Sequence, residues 1–207
     1  MRNRGITALP RRAGVAGSVT ALLVAALPAV PASAAEGGGA NNVVQVRTTS
    51  SATFRARAHV QAAPYGGDSA QSTNLALAQA ADCTGCRSRA AALQAVFLTG
   101  DPQSVTVTNA AVAEHSGCTG CASYAYAFQY VVSPGAPVSL SPQGRAQLLD
   151  IQARADAAVT AVEPLADLDR ELSGLAQELK AVVDAELWAA GTPATTREVV
   201  DRDVSGD

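Results

Sequence analysis

The chain repeats itself. Segments 74–97 and 109–132 align without a gap at an offset of 35 residues, and 12 of the 24 aligned positions are identical. At the centre of each copy stands Cys-Thr-Gly-Cys, as Cys83, Thr84, Gly85, Cys86 and again as Cys118, Thr119, Gly120, Cys121. Ahead of it, Asn74-x-Ala76-x-Ala78 recurs as Asn109-x-Ala111-x-Ala113. Behind it, Ser88-x-Ala90-x-Ala92-x-Gln94-x-Val96 recurs as Ser123-x-Ala125-x-Ala127-x-Gln129-x-Val131. A repeat of this length constrains the fold more than any composition does.

Outside the tetrad the identities fall on alternate residues. Alternation means strands, because successive side chains of a strand point to opposite faces. One face is held constant while the other varies: Arg89, Ala91, Leu93, Ala95, Phe97 in the first copy, and Tyr124, Tyr126, Phe128, Tyr130, Val132 in the second. The second set favours strand strongly, and decides against a helix in the alanine-rich first copy. The glycine inside each tetrad suits a tight turn with positive φ. Each unit is therefore expected to be a β-hairpin. Asn74, Asn109, Gln94 and Gln129 serve as structural repeat positions, with the glutamine-bearing alanine face read as a packing ladder rather than a substrate site. A degenerate copy is expected over 41–61, with Asn41 and Gln61 at its ends and Ser50-Ser51-Ala52-Thr53 in the tetrad position.

The last third changes period. Ser141-Pro142 is a helix start, serine as N-cap and proline in the first turn. Apolar residues follow at spacings of three and four through Leu148, Ile151, Ala155, Ala158, Val162 and Leu165, then through Leu168, Leu172, Leu175, Leu179 and Val182. Pro164 interrupts the series and separates two helices, about 142–162 and 165–190. The leucine stripe is read as packing back on the sheet, with the alanine face as the receiving surface. The expected fold class is α+β: tandem β-hairpins with Cys-Thr-Gly-Cys turns over 36–140, a helical pair over 141–191, and a disordered acidic tail over 192–207.

The N-terminus reads as an address. Arg2, Arg4, Arg11 and Arg12 precede an apolar stretch, and Ala32-Ser33-Ala34 ends it with a small-x-small pattern, so 1–35 is expected to be a secretory signal peptide. The whole chain has a formal charge of −3; with those four arginines removed, 11 basic residues face 18 acidic ones, a net charge of −7. That argues against nucleic acid as a partner. No apolar run beyond the signal is long enough to span a bilayer. The expected product is secreted or associated with the cell envelope, where a protein partner is the expected kind of contact.

Three chemistries fit Cys83, Cys86, Cys118 and Cys121. Disulfides come first, because an exported chain with an even cysteine count oxidises; closure within each tetrad and cross-links between the units both remain open. Second is a structural zinc site, since paired CxxC turns gather four thiolates around one tetrahedral ion. Third is thiol–disulfide redox catalysis, although thioredoxin-like CxxC sits at a helix N-terminus and these tetrads lie between strands. No catalytic residue is assigned: there is no HExxH, and His59 and His115 are the only histidines. His115, whose counterpart in the first copy is Ala80, is read as a surface histidine. Asp167, Asp169, Glu171 and Glu178 are read as a solvated helix face.

The Asn-x-Ala-x-Ala, Cys-x-x-Cys, Ala-x-Ala-x-Gln unit, together with Thr99-Gly100-Asp101-Pro102, the paired Thr73-Asn74 and Thr108-Asn109, and the Ser-Pro-x-Gly-Arg of 141–145, resembles a family of small exported or membrane-associated actinobacterial proteins. Its members often carry the label "putative peptide zinc metalloprotease protein". The resemblance implies an accessory role beside a zinc peptidase, and assigns proteolysis to no residue here. The expectation is a non-catalytic structural or interaction protein of the envelope. The alternatives are an accessory component of a peptide zinc metalloprotease system, with the tetrads binding zinc, and a thiol oxidoreductase.

Overall fold

The computed structural model describes residues 40–100, 102–134, 137–188 and 195–206; the expected signal peptide lies outside them. Six strands come first: β1 (Ala40–Thr48), β2 (Phe54–Gly66), β3 (Ser69–Ala81), β4 (Arg87–Thr99), β5 (Ser104–Ser116) and β6 (Ala122–Ser133). A two-residue strand β7 (Ser139–Leu140) leads into helices α1 (Pro142–Thr160) and α2 (Leu165–Glu186). Then come β8 (Leu187–Trp188), paired to β7, and β9 (Thr195–Gly206). The mixed α+β class holds.

The hairpins do not. The strands flanking each tetrad belong to different sheets: β1, β3 and β5 form one, and β2, β4, β6 and β9 the other. Within each sheet the repeat strands run parallel, and between the second and third copies the register is 35 residues, so that Asn74 faces Asn109 and Gln94 faces Gln129. The tetrad is thus an arc that carries the chain from one sheet to the other. Each copy is one coil of a β-solenoid, stacked on its own repeat. The physical reason lies in the constant face. Alanine is small enough for two sheets to meet side chain to side chain, and Ala76, Ala78, Ala90, Ala92, Ala111, Ala113, Ala125 and Ala127 form one buried cluster between them with Val44 and Val46. Identical residues then stack in register along the coil axis, and backbone hydrogen bonds run between coils instead of within them.

The degenerate copy is the first coil. Ala52 N–H donates to Thr84 O at 2.8 Å as Gly85 N–H does to Thr119 O at 2.9 Å, which places Ser50-Ser51-Ala52-Thr53 at the tetrad level. Gln61 faces Gln94 as expected. The asparagine partner, however, is Asn42 rather than Asn41. Thr49 alone spans the interval that Ala81 and Asp82 fill in the second coil, so the shorter arc slips β1 by one residue.

The buried polar residues cross-link the coils. Asn42 Nδ2 donates to Asn74 Oδ1 at 2.9 Å, and Asn74 Nδ2 to Asn109 Oδ1 at 2.7 Å. Gln94 Nε2 donates to Gln61 Oε1 at 2.9 Å, and Gln129 Nε2 to Gln94 Oε1 at 2.7 Å. Such ladders satisfy side-chain amides that would otherwise be costly to bury, with Gln129 Oε1, at the end of the glutamine ladder, left without a partner among the described residues.

The helices pack on the outer, variable face of the β2-β4-β6 sheet, not on the alanine face, which the opposite sheet already occupies. Leu93, Phe97, Tyr124, Tyr126, Phe128 and Tyr130 meet Ile151, Ala155, Leu168, Leu172, Leu179 and Val183 in the largest core cluster. Each buried large side chain contributes roughly 1.5–3 kcal/mol. The tyrosine hydroxyls find polar partners on α2: Tyr124 with Asp169 Oδ1 at 3.1 Å, and Tyr130 with Asp184 Oδ1 at 2.6 Å. Asp169 is therefore half of a sheet–helix contact as well as part of a solvated face. Ser141 caps α1 by accepting from Gly144 N–H at 2.9 Å.

Both edges of the β2-β4-β6 sheet are covered. At one, α1 supplies side chains in place of a strand: Val60 N–H donates to Gln152 Oε1 at 2.6 Å, Gln152 Nε2 to Ala58 O at 3.2 Å, and Ala58 N–H to Asp156 Oδ1 at 3.3 Å. At the other, β9 pairs antiparallel with β6. This corrects the expectation of a disordered tail for the stretch Thr195–Gly206: the open edge of β6 gives it a partner.

Candidate functional site

Stacking the arcs brings the two tetrads together. The arc backbones hydrogen-bond from coil to coil, Asp82 N–H to Ser116 O at 2.9 Å, Thr119 N–H to Cys83 O at 3.2 Å and Ala122 N–H to Cys86 O at 2.9 Å. Two left-handed backbone positions make each arc. The first is Asp82 (φ 54°) or its counterpart Gly117 (φ 60°); the second is the tetrad glycine, Gly85 (φ 66°) or Gly120 (φ 63°). At Gly117 a Cβ would also lie 2.5 Å from Asp82 Oδ1, so that carboxylate would have to swing aside. The sequence pattern of glycine and aspartate thus fixes where four cysteines converge.

Cys83 and Cys86 are joined by a disulfide, while Cys118 and Cys121 carry free thiols. Cys83 Sγ lies 3.6 Å from Cys118 Sγ and 3.9 Å from Cys121 Sγ. Those three sulfurs all lie within 4.8 Å of one another, and among the described residues no histidine or carboxylate joins them. Cys83, Cys86 and Cys121 are buried and Cys118 is half-buried. The Cys121 thiol donates to Cys83 O at 3.5 Å. In the first coil, Ser50 and Thr53 stand at the cysteine levels, so the sulfur cluster links the second and third coils alone.

Three kinds of chemistry are open to such a corner. Sulfurs this close permit disulfides within an arc or between arcs. They also match a thiolate cage: a tetrahedral zinc with bonds of about 2.3 Å requires sulfur–sulfur separations of about 3.8 Å. The observed 3.6 and 3.9 Å bracket that edge. Once the Cys83–Cys86 disulfide is reduced, Cys83 joins Cys118 and Cys121 as a thiolate at that spacing. Nucleophilic redox catalysis fits less well. Desolvation, with the hydrogen bond to Cys121 next, holds the Cys118 thiol above its ordinary value, the reverse of what an attacking cysteine needs. A surface hollow lined by Cys121, Gly120, Arg87 and Glu163 reaches the corner from solvent.

Beside the corner, sequence reasoning missed Arg89. Its buried guanidinium donates to Ala161 O at 2.6 Å and Glu163 O at 2.9 Å, at the C-terminus of α1, and sits 5.3 Å from the Phe54 ring centroid. Charge on the variable face was the available signal. Asn74, Asn109, Gln94 and Gln129 lie inside the solenoid in the ladders, as packing residues. No family model, no curated protein sequence and no solved structure matches the chain.

Proposed function

We propose that the protein is a secreted, non-catalytic structural or interaction protein of the cell envelope: a three-coil solenoid with its arc corner clamped by cysteines. The observation that carries this reading is the use made of the buried amides. Asn42, Asn74 and Asn109, and Gln61, Gln94 and Gln129, bind one another from coil to coil. Polar groups spent in this way make a rigid scaffold with a single register. The N-terminal signal pattern supports export, and an oxidising compartment supports closure of Cys118 with Cys121 beside the Cys83–Cys86 disulfide.

A second reading is favoured by the sulfur spacing. With its cysteines reduced, the corner presents the Cys83, Cys118 and Cys121 sulfurs at separations suited to zinc, which suits an accessory component of a zinc peptidase system, the role that the repeat's family resemblance implies.

The test is an intact mass measurement on protein exported by an actinobacterial host, with and without alkylation, after fractionation. The first reading expects a chain cleaved near Ala34, recovered with the envelope, lacking four hydrogens and taking up no alkylating agent. A chain with four thiols and one zinc replaces it with the second. Cytosolic retention of an uncleaved chain overturns both.

A further inference from the structure

Among the described residues, one coil edge is left open. The edge of β2 is closed by Gln152 and Asp156, and that of β6 by β9. On the far side of the other sheet, β9 lies against β5, and the alternate β5 residues Asn109, Ala111, Ala113 and His115 are all engaged. β1 pairs with β3 on one side only, and among the described residues nothing pairs with its other side. An edge strand of nine residues without a proline, and with no strand beside it among the described residues, is a template for another strand. Its outer face is accessible: Asn41, Val43, Gln45 and Arg47 are exposed, Val43 at 56%.

The second observation is charge. Arg47, Arg55 and Arg57 line one surface hollow with Gln45, Val46, Phe54 and Thr160, where β1 meets β2 at this same end of the solenoid. All three arginines are exposed, and among the described residues none has an ion-pair partner; the ion pairs recorded there belong to Arg154, Arg170 and Lys180 on the helices. Between Glu36 and Asp68 the sequence contains no acid. A chain acidic as a whole therefore concentrates unpaired positive charge at its open strand edge.

We infer that β1 and the Arg47–Arg55–Arg57 hollow form a docking site for an extended acidic peptide, which adds as a fourth strand beside β1 and sets carboxylates among the guanidiniums. Main-chain hydrogen bonds supply the binding and the arginines select the partner. The three arginines also oppose the stacking of a second copy in the same place, since its coil would bring like charge to like. The inference rests on the interaction-protein reading and names the partner class for it.

The experiment uses the full chain and a fluorescein-labelled nine-residue peptide of alternating Glu and Val, read by anisotropy at two salt concentrations, with hydrogen exchange on β1. The expected result is binding that protects β1 amides. It weakens at least about tenfold in Arg55→Glu and in Arg47→Glu, the scale of one charge-assisted pair. A peptide of equal charge with Pro at alternate positions, unable to complete the ladder, is expected not to bind. Equal binding of the Pro peptide, or equal competition by inorganic polyphosphate, overturns strand addition in favour of simple anion attraction. So does concentration-dependent dimerisation that occludes β1, or no binding at all. Envelope recovery is scored on the same variants: a variant recovered with the envelope while the wild type ignores the peptide removes this site and leaves the broader reading in place.

Discussion

Asn74 donates its Nδ2 proton to Oδ1 of Asn109 at 2.7 Å, across 35 residues of sequence and a single step along the coil axis. The same nitrogen lies 3.0 Å from both Ala92 O and Phe128 O, while Asn74 Oδ1 accepts from Asn42. One fully buried side chain thereby ties three coils and both sheets together. Replacing it removes one of the three acceptors of Asn42 Nδ2, which keeps His59 O and Leu93 O, and the donor that Asn74 supplies to Asn109 Oδ1. Asn74→Leu is expected to lose about 2–4 kcal/mol, more than a single neutral hydrogen bond, because several buried hydrogen bonds go at once. Urea unfolding checks this; a loss below about 1 kcal/mol would show that the ladder relaxes onto other partners.

Ala92 is fully buried where the two sheets face each other. Ala92→Leu adds three carbons where the opposing alanines leave no room, so a loss of about 1–3 kcal/mol or more is expected. Leu149→Ala provides the contrast. That leucine is 73% exposed on α1, and its removal is expected to change the unfolding midpoint by less than about 0.5 kcal/mol.

Arg89 holds the end of α1 to the sheet through two carbonyl contacts. Arg89→Met keeps most of the stem and removes both donors, with an expected cost of about 2–3 kcal/mol. Arg89→Lys retains a cation but not the fork, and is expected to recover only part of that loss. Thermal unfolding of the three proteins side by side gives the ranking.

His59 is held below its ordinary value of 6.5 by burial and by the Arg57 cation, against a weaker opposing pull from Asp156. Its Nδ1 is 2.6 Å from Asn42 Oδ1, so the neutral ring carries its proton there and donates. The unfolded chain, with the higher affinity for the second proton, takes it up first as pH falls. Stability is therefore complete above about pH 6.5 and declines as acid is added below it. In His59→Gln that part of the slope is expected to vanish. Urea midpoints measured from pH 8 to 5 decide it, and an unchanged slope in the variant would assign the acid sensitivity elsewhere.

Much of this was legible residue by residue. The period-two identities marked the strands, Ser141-Pro142 the start of α1, and Pro164 the break before α2. What local pattern could not carry was partnership. A hairpin and a coil have the same alternation; they differ in whether a strand pairs with its neighbour in sequence or with its copy 35 residues on, and the preserved face on both sides of the tetrad was the signal for the second. The helices chose the aromatic face because the alanines were already buried against alanines. β9 is a strand because β6 offers an edge, a fact written outside 192–207. Arg47 belongs to β1 and Arg55 and Arg57 to β2, and only the turn of the first coil makes them one patch.

The sulfurs of the second and third arcs pack together, while the first arc, with Ser50 and Thr53 at those levels, stays outside that cluster. The molecule therefore has a firm end and a soft end. Under load or in dilute denaturant it should peel from Ala40 inward, one coil at a time, with the cysteine-bearing pair as the last part to let go.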